Sequence, residues 1–201
     1  MMRYIGTLAA AISVVGTGVV AAWDIALAPN GSASLTHEGK PVAELTPGLF
    51  CKGWRGGRVG AAAAYPDDDT VPRRSAIVTP DGGKVDCEVS ASADAGTVTL
   101  HYRMTPRNDV ELNSLHVSID LPERVLAGAA YTMDGDVGTF PLVRAATHVH
   151  ASVDARSLQL TWPDGRSLAL DLAAPTPILL QDNRQWGPNF SIRVGPQMDA
   201  S

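Results

Sequence analysis

The chain has 201 residues, 45% of them hydrophobic, and its 21 acidic against 16 basic side chains leave a formal net charge of -5. That length fits one domain with a real core. The acidic balance and the lack of a basic run argue against a nucleic-acid partner, because Lys and Arg contacts to phosphate dominate such affinity.

The first elements read as a leader. Met1-Met2-Arg3 carries a positive charge, Ile5 to Val20 is apolar and rich in Gly and Ala, and Val20-Ala21-Ala22 offers small residues before Trp23. This pattern predicts a signal peptide cut after Ala22, with residues 23–201 as the mature domain. The alternative, a retained anchor, needs roughly 20 apolar residues, and this run is interrupted by Gly6, Gly16 and Gly18. The first cysteine is Cys51, so no lipid attachment site follows the leader. The expected product is periplasmic or extracellular, without stable membrane insertion after cleavage.

Beyond Trp23 the chain alternates in short segments separated by turn residues, and no window keeps a helical repeat for three turns. Predicted strands begin with Trp23 to Leu27, the Asn30-Gly31 turn, Ala33 to Thr36 and Pro41 to Leu45. Gly53 to Arg74, with Gly56-Gly57, Ala61 to Ala64 and Pro66-Asp67-Asp68-Asp69, reads as a long loop. Strands resume at Ala76 to Val78, Val85 to Ala91, Thr97 to Met104 and Glu111 to Leu121, with turns at Asp81-Gly82 and Asp94-Ala95-Gly96. In the last of these, Leu115, Val117, Ile119 and Leu121 share one face, while His116, Ser118 and Asp120 share a face expected to be wet or to line something. The remainder are Ala127 to Tyr131, Gly138 to Leu142, Thr147 to Val153, Ser157 to Trp162, Ser167 to Leu172, Pro177 to Leu180 and Phe190 to Val194. About a dozen short strands predict an all-β fold, a two-layer antiparallel β-sandwich, with a jelly roll or closed barrel as the alternative.

Cys51 and Cys87 in an exported chain are expected to form a disulfide. A thiolate metal site has no CxxC to support it. His148-Val149-His150 places two imidazoles at strand spacing, with His101 and His116 on other strands, but no carboxylate is fixed beside them by the pattern. Glycoside chemistry needs two opposed carboxylates. Asp120, Glu123, Asp134, Asp136 and Asp182 are available, though Asp134 and Asp136 sit in a turn where an acid ordinarily bonds the backbone. No Gly-x-Ser-x-Gly and no phosphate loop occurs. No cofactor is expected.

Aromatic residues with polar company are the stronger signal, since an indole face stacks on the apolar face of a pyranose while amides, acids and Arg bond its hydroxyls. Two clusters qualify: Trp54-Arg55, and Asp182-Asn183-Arg184 with Trp186. Each Trp could equally cap the core, with Arg184 paired to Asp182.

The stretch from Leu115 to Val194 carries a resemblance through His116 to Pro122, Leu126-Ala127-Gly128-Ala129, Phe140-Pro141, Leu158-Gln159-Leu160 and Leu180 to Gly187. It resembles accessory β-sandwich domains of exported bacterial glycoside hydrolases. The resemblance implies a non-catalytic module associated with a poly- or oligosaccharide, either a free-standing relative with a glycoside hydrolase catalytic domain acting in trans or a fragment of a longer enzyme. A small glycan-active hydrolase or lyase and a structural module of the cell envelope are the competing expectations.

Overall fold

The structure is a computed structural model that describes residues 3–4, 8–15, 23–59, 71–94, 97–162 and 167–195. The predicted cleavage site at residues 20–22, most of the long loop (60–70), the tip of the 94–96 turn and the Pro163-Asp164-Gly165 turn lie outside the described residues.

In chain order the strands are β1 (Arg3–Tyr4), β2 (Leu8–Val15), β3 (Trp23–Leu27), β4 (Ala33–His37), β5 (Lys40–Cys51), β6 (Arg55–Gly56), β7 (Arg58–Val59), β8 (Arg73–Val78), β9 (Lys84–Asp94), β10 (Thr97–Pro106), β11 (Val110–Pro122), β12 (Ala130–Met133), β13 (Asp136–Thr139), β14 (Val149–Thr161), β15 (Ser167–Asp182) and β16 (Asn189–Val194). One helical turn, α1 (Glu123–Leu126), follows Pro122. Proline cannot continue a ladder on its N–H side but suits the start of a helix, so the strand ends where the turn begins.

The fold is an antiparallel two-layer β-sandwich. The strand path runs β3-β4-β5-β11-β16-β15-β2-β10-β9-β8-β7, and β3 and β7 at its two ends do not pair with each other, so it does not close into a barrel. The long hairpin β14–β15 belongs to both layers. Its outer half, Thr176 to Gln181 opposite Val149 to Ala155, adjoins β16, whereas Ser167 to Asp171 opposite Ser157 to Thr161 adjoins β2 on one side and β12 on the other. A bulge between Ala155 and Ser157 marks the bend. Each of these strands runs unbroken where the sequence pattern predicts two.

The inner faces follow the period-two pattern. Leu115, Val117, Ile119 and Leu121 of β11 are fully buried, and their register partners Leu45, Leu49, Phe190, Ile192 and Val194 join them in one continuous core. Leu100, Tyr102 and Met104 of β10 and Leu168 and Leu170 of β15 line the second layer's side of it. Each such side chain contributes about 1.5–3 kcal/mol by leaving water.

Two expectations are corrected. Cys51 and Cys87 are free, buried thiols and form no disulfide. Cys51 ends β5 opposite Leu112, while Cys87 lies on β9 opposite Ser75 and Met104, near the other end of the strand path. Burial pushes the Cys87 thiol up to about 12 against a hydrogen bond with Ser75, so it is a poor thiolate. The face of β11 expected to be wet or to line something is covered by packing at its centre. His116 is 4% exposed and Ser114 1%, while Ser118 and Asp120 are half-buried.

Candidate functional site

Phe50, opposite Ser114 on the neighbouring strand, stacks on the His116 ring with centroids 5.4 Å apart, and the Arg193 guanidinium lies 5.0 Å above Phe50. A Cβ on Gly48 would come within 3.0 Å of His116 Nε2, so glycine lets β5 pass this ring. Ser114 Oγ and His116 Nδ1 share a hydrogen bond of 3.0 Å. Burial first, and then the Arg193 charge, lowers the imidazole to about 3, and it stays neutral. This histidine is a packing group.

Trp54 sits at the same end of the sheet. It closes a short 3-10 turn, Lys52–Trp54, in which Gly53 (φ 72°) and Trp54 (φ 58°) are both left-handed. A bulky residue rarely adopts that conformation, and here it holds the indole 53% exposed with one edge on Phe50. Arg55 pairs with Asp81 at 3.0 Å in the open.

The second cluster occupies the β15–β16 turn. Trp186 N–H and Gly187 N–H both donate to Asn183 O, at 2.7 and 2.9 Å, and Asn183 N–H donates to Asn189 O. Beneath the turn lies Arg184, whose side chain is 5% exposed. Its five N–H groups are all engaged: Nε to Asp182 Oδ1, one terminal nitrogen to Glu123 Oε1 and Leu142 O, the other to Pro141 O and Asp182 Oδ2, all within 3.0 Å. The guanidinium also caps the Phe190 ring at 4.6 Å. These hydrogen bonds hold the Asp182 carboxyl below the usual carboxylate range. Asp182 and Arg184 therefore serve each other and the backbone, leaving no donor on Arg184 for a ligand.

Trp186 stands clear of this clasp at 66% exposure, with His148 edge-on at 5.4 Å. A cleft of about 510 Å³ borders the same turn through Pro188 and Asn189 and extends over Leu35, Val42, Glu44 and Asp120. Asp120 accepts hydrogen bonds from Ser118 Oγ and Asn189 Nδ2, both at 3.3 Å. Asn189 and Glu44 carried no sequence signal, while the alternation along β11 named Asp120.

The two tryptophan clusters are not one site. Trp54 lies beside the Ser114 end of β11 and the Trp186 turn beside its Pro122 end, separated by about 25 Å of strand at the usual rise.

The histidine pair does not converge either. β14 starts at Val149 with a register shift before Ala151, which breaks the period-two geometry that His148 and His150 would need. His148 meets Trp186, whereas His150 packs against Tyr131 and Phe140. His101 is exposed on β10. Among the described residues no three His, Cys, Asp or Glu side chains gather as a metal site. Asp134 has the turn role, accepting from the Arg156 and Ser157 N–H groups and Ser157 Oγ, and those backbone bonds lower its carboxyl.

Comparison with protein-family models, curated proteins and solved structures finds no match.

Proposed function

We propose that this chain is an exported, non-catalytic, carbohydrate-associated β-sandwich, cut after Ala22 and acting in the periplasm or outside the cell. Trp186 is its stacking platform for a poly- or oligosaccharide. The observation that carries the reading is a large indole left in water on a turn that a buried ion pair holds rigid. Exposed aromatics presented without loss of conformational freedom bind at low entropic cost. Asn183, Asp120, Asn189 and Glu44, beside or within the adjoining cleft, supply acceptors and amides for sugar hydroxyls. Asp182 and Arg184 hold the turn, and Trp54 with Arg55 forms a separate outer contact for a long glycan. A glycoside hydrolase domain acting in trans would supply catalysis.

Tryptophan fluorescence titrated against soluble polysaccharides, with product analysis on the same samples, tests this. Trp186→Ala is expected to abolish retention on the glycan that gives the shift, while changing stability by no more than about 0.5 kcal/mol, as for a surface site. New reducing ends or unsaturated products would replace the binding module with an enzyme. No shift from any glycan would leave the envelope module standing.

A further inference from the structure

β2 lies inside the second layer. Leu8 to Val15 pair antiparallel with Met104 to Thr97 of β10, and Ala11 lies opposite Asp171 of β15. The same eight residues, LAAAISVV, belong to the apolar stretch that reads as a leader. The two roles exclude each other in time. A chain cut after Ala22 has lost β2, and the facing edges of β10 and β15 have lost their neighbour.

Those edges are poorly built to stand free. An antiparallel partner of this length satisfies about eight backbone N–H and C=O groups on one edge of β10. Free edges are ordinarily short, bulged or charged. β10 runs from Thr97 to Pro106 without a register shift on either side. Leu100, Tyr102 and Met104 beside the gap, and Leu168 and Leu170 across it, belong to the buried core.

We propose that processing opens a strand-acceptor slot between β10 and β15, and that the mature protein fills it with an extended apolar strand from a partner polypeptide. The incoming strand takes the register of Leu8–Val15. Its chemistry follows from the segment that fits: about eight residues, uncharged and free of proline, so that every backbone group reaches the ladder. Recognition is strand addition, with main-chain bonds supplying affinity. This inference rests on the export reading, and its test separates the two.

The full-length chain, carrying a protease site between Ala22 and Trp23, is folded and then cut. A labelled synthetic peptide containing LAAAISVV is added, alongside a version with Ile12→Pro. Displacement of the released leader fragment by the first peptide only, with amide exchange across Thr97–Met104 fast in the emptied protein and slowed on the order of tenfold or more on binding, is the expected result. Protected amides in the emptied monomer would mean that β10 closes directly on β15, which overturns the slot. Protected amides in a self-associated form would make a second copy the occupant and overturn the partner strand. N-terminal sequencing of exported protein tests the other premise. A chain that keeps residues 8–15 after export would overturn the proposal there, whatever the peptide does in vitro.

Discussion

At one end of the first layer Arg184 meets Asp182, and at the other Arg55 meets Asp81, with nearly equal contact distances of 2.9 and 3.0 Å. Surroundings make them different objects. Arg184 and Asp182 are almost wholly buried, and Arg184 donates further to Glu123 and two carbonyls, whereas Arg55 and Asp81 stand more than half exposed. Water and salt screen the exposed pair, while the buried one has no substitute for any bond it loses. An Arg beside a Trp is thus a different signal in each place: near Trp186 it ties the turn down, and near Trp54 it stays in solvent, where its pairing is screened.

Breaking the buried pair has the largest expected effect. Arg184→Ala removes the guanidinium from the Asp182 carboxylate, which keeps only backbone N–H donors, and takes the donor from Leu142 O and Pro141 O; it is expected to cost about 3–5 kcal/mol in urea unfolding. Fluorescence should also show loss of the fixed Trp186 environment. A cost below about 1 kcal/mol would reduce the clasp to the rank of a surface pair.

Acid sharpens the comparison at intermediate magnitude. His116 titrates at about 3 in the fold but near 6.5 in an unfolded chain, so the unfolded state takes up its proton first. Stability from this group is full above pH 6.5 and falls as pH drops towards 3, by at most about 1.4 kcal/mol per pH unit. Asp182, held below its ordinary value, contributes fully above about pH 4, and that contribution is lost as pH falls further. His116→Asn should flatten the pH 4–6.5 limb in equilibrium unfolding and leave the steeper drop below pH 4 in place. A wild-type curve that is flat from 6.5 to 4 would contradict the buried neutral imidazole.

The smallest effect belongs to the exposed pair. Arg55→Ala, Asp81→Ala and the double variant should differ in coupling by less than about 1 kcal/mol, and added salt should erase that. A larger coupling would show that the Trp54 turn is clamped like its counterpart.

The fold was legible where alternation and turn chemistry coincide. β11 carries its inner face in plain period two, and Asn30-Gly31, Asp81-Gly82 and Asp134-Gly135 all fall at turns. The expected breaks fall where apolar alternation lapses, at Asp154-Ala155-Arg156 in β14 and around Pro175 in β15. Extended backbone accepts proline where a strand bends and its N–H is not needed, so one strand continues through. β2 was hidden because an apolar leader and a strand paired within a sheet can have the same composition. The site was legible in part. Trp186 was visible as an indole in polar company, and the Asp182–Arg184 pairing was open as an alternative. The remaining partners of Arg184 were not visible, since they are a glutamate 61 residues away and carbonyl oxygens 42 and 43 residues away. Any residue can offer a carbonyl, so only the fold reveals it. The covered state of His116 was equally hidden, depending on Phe50 and Arg193 from other strands.

The order of strands bears on when this protein can fold at all. β16, among the last residues described, lies between β11 and β15 in the middle of the first layer. During synthesis the chain therefore emerges with a gap at the centre of its sheet, and no earlier strand can be laid down beside both neighbours until Asn189–Val194 has left the ribosome. Sheets held by such distant pairings also close slowly. A nascent chain of this topology therefore cannot complete its first layer before Asn189–Val194 has emerged.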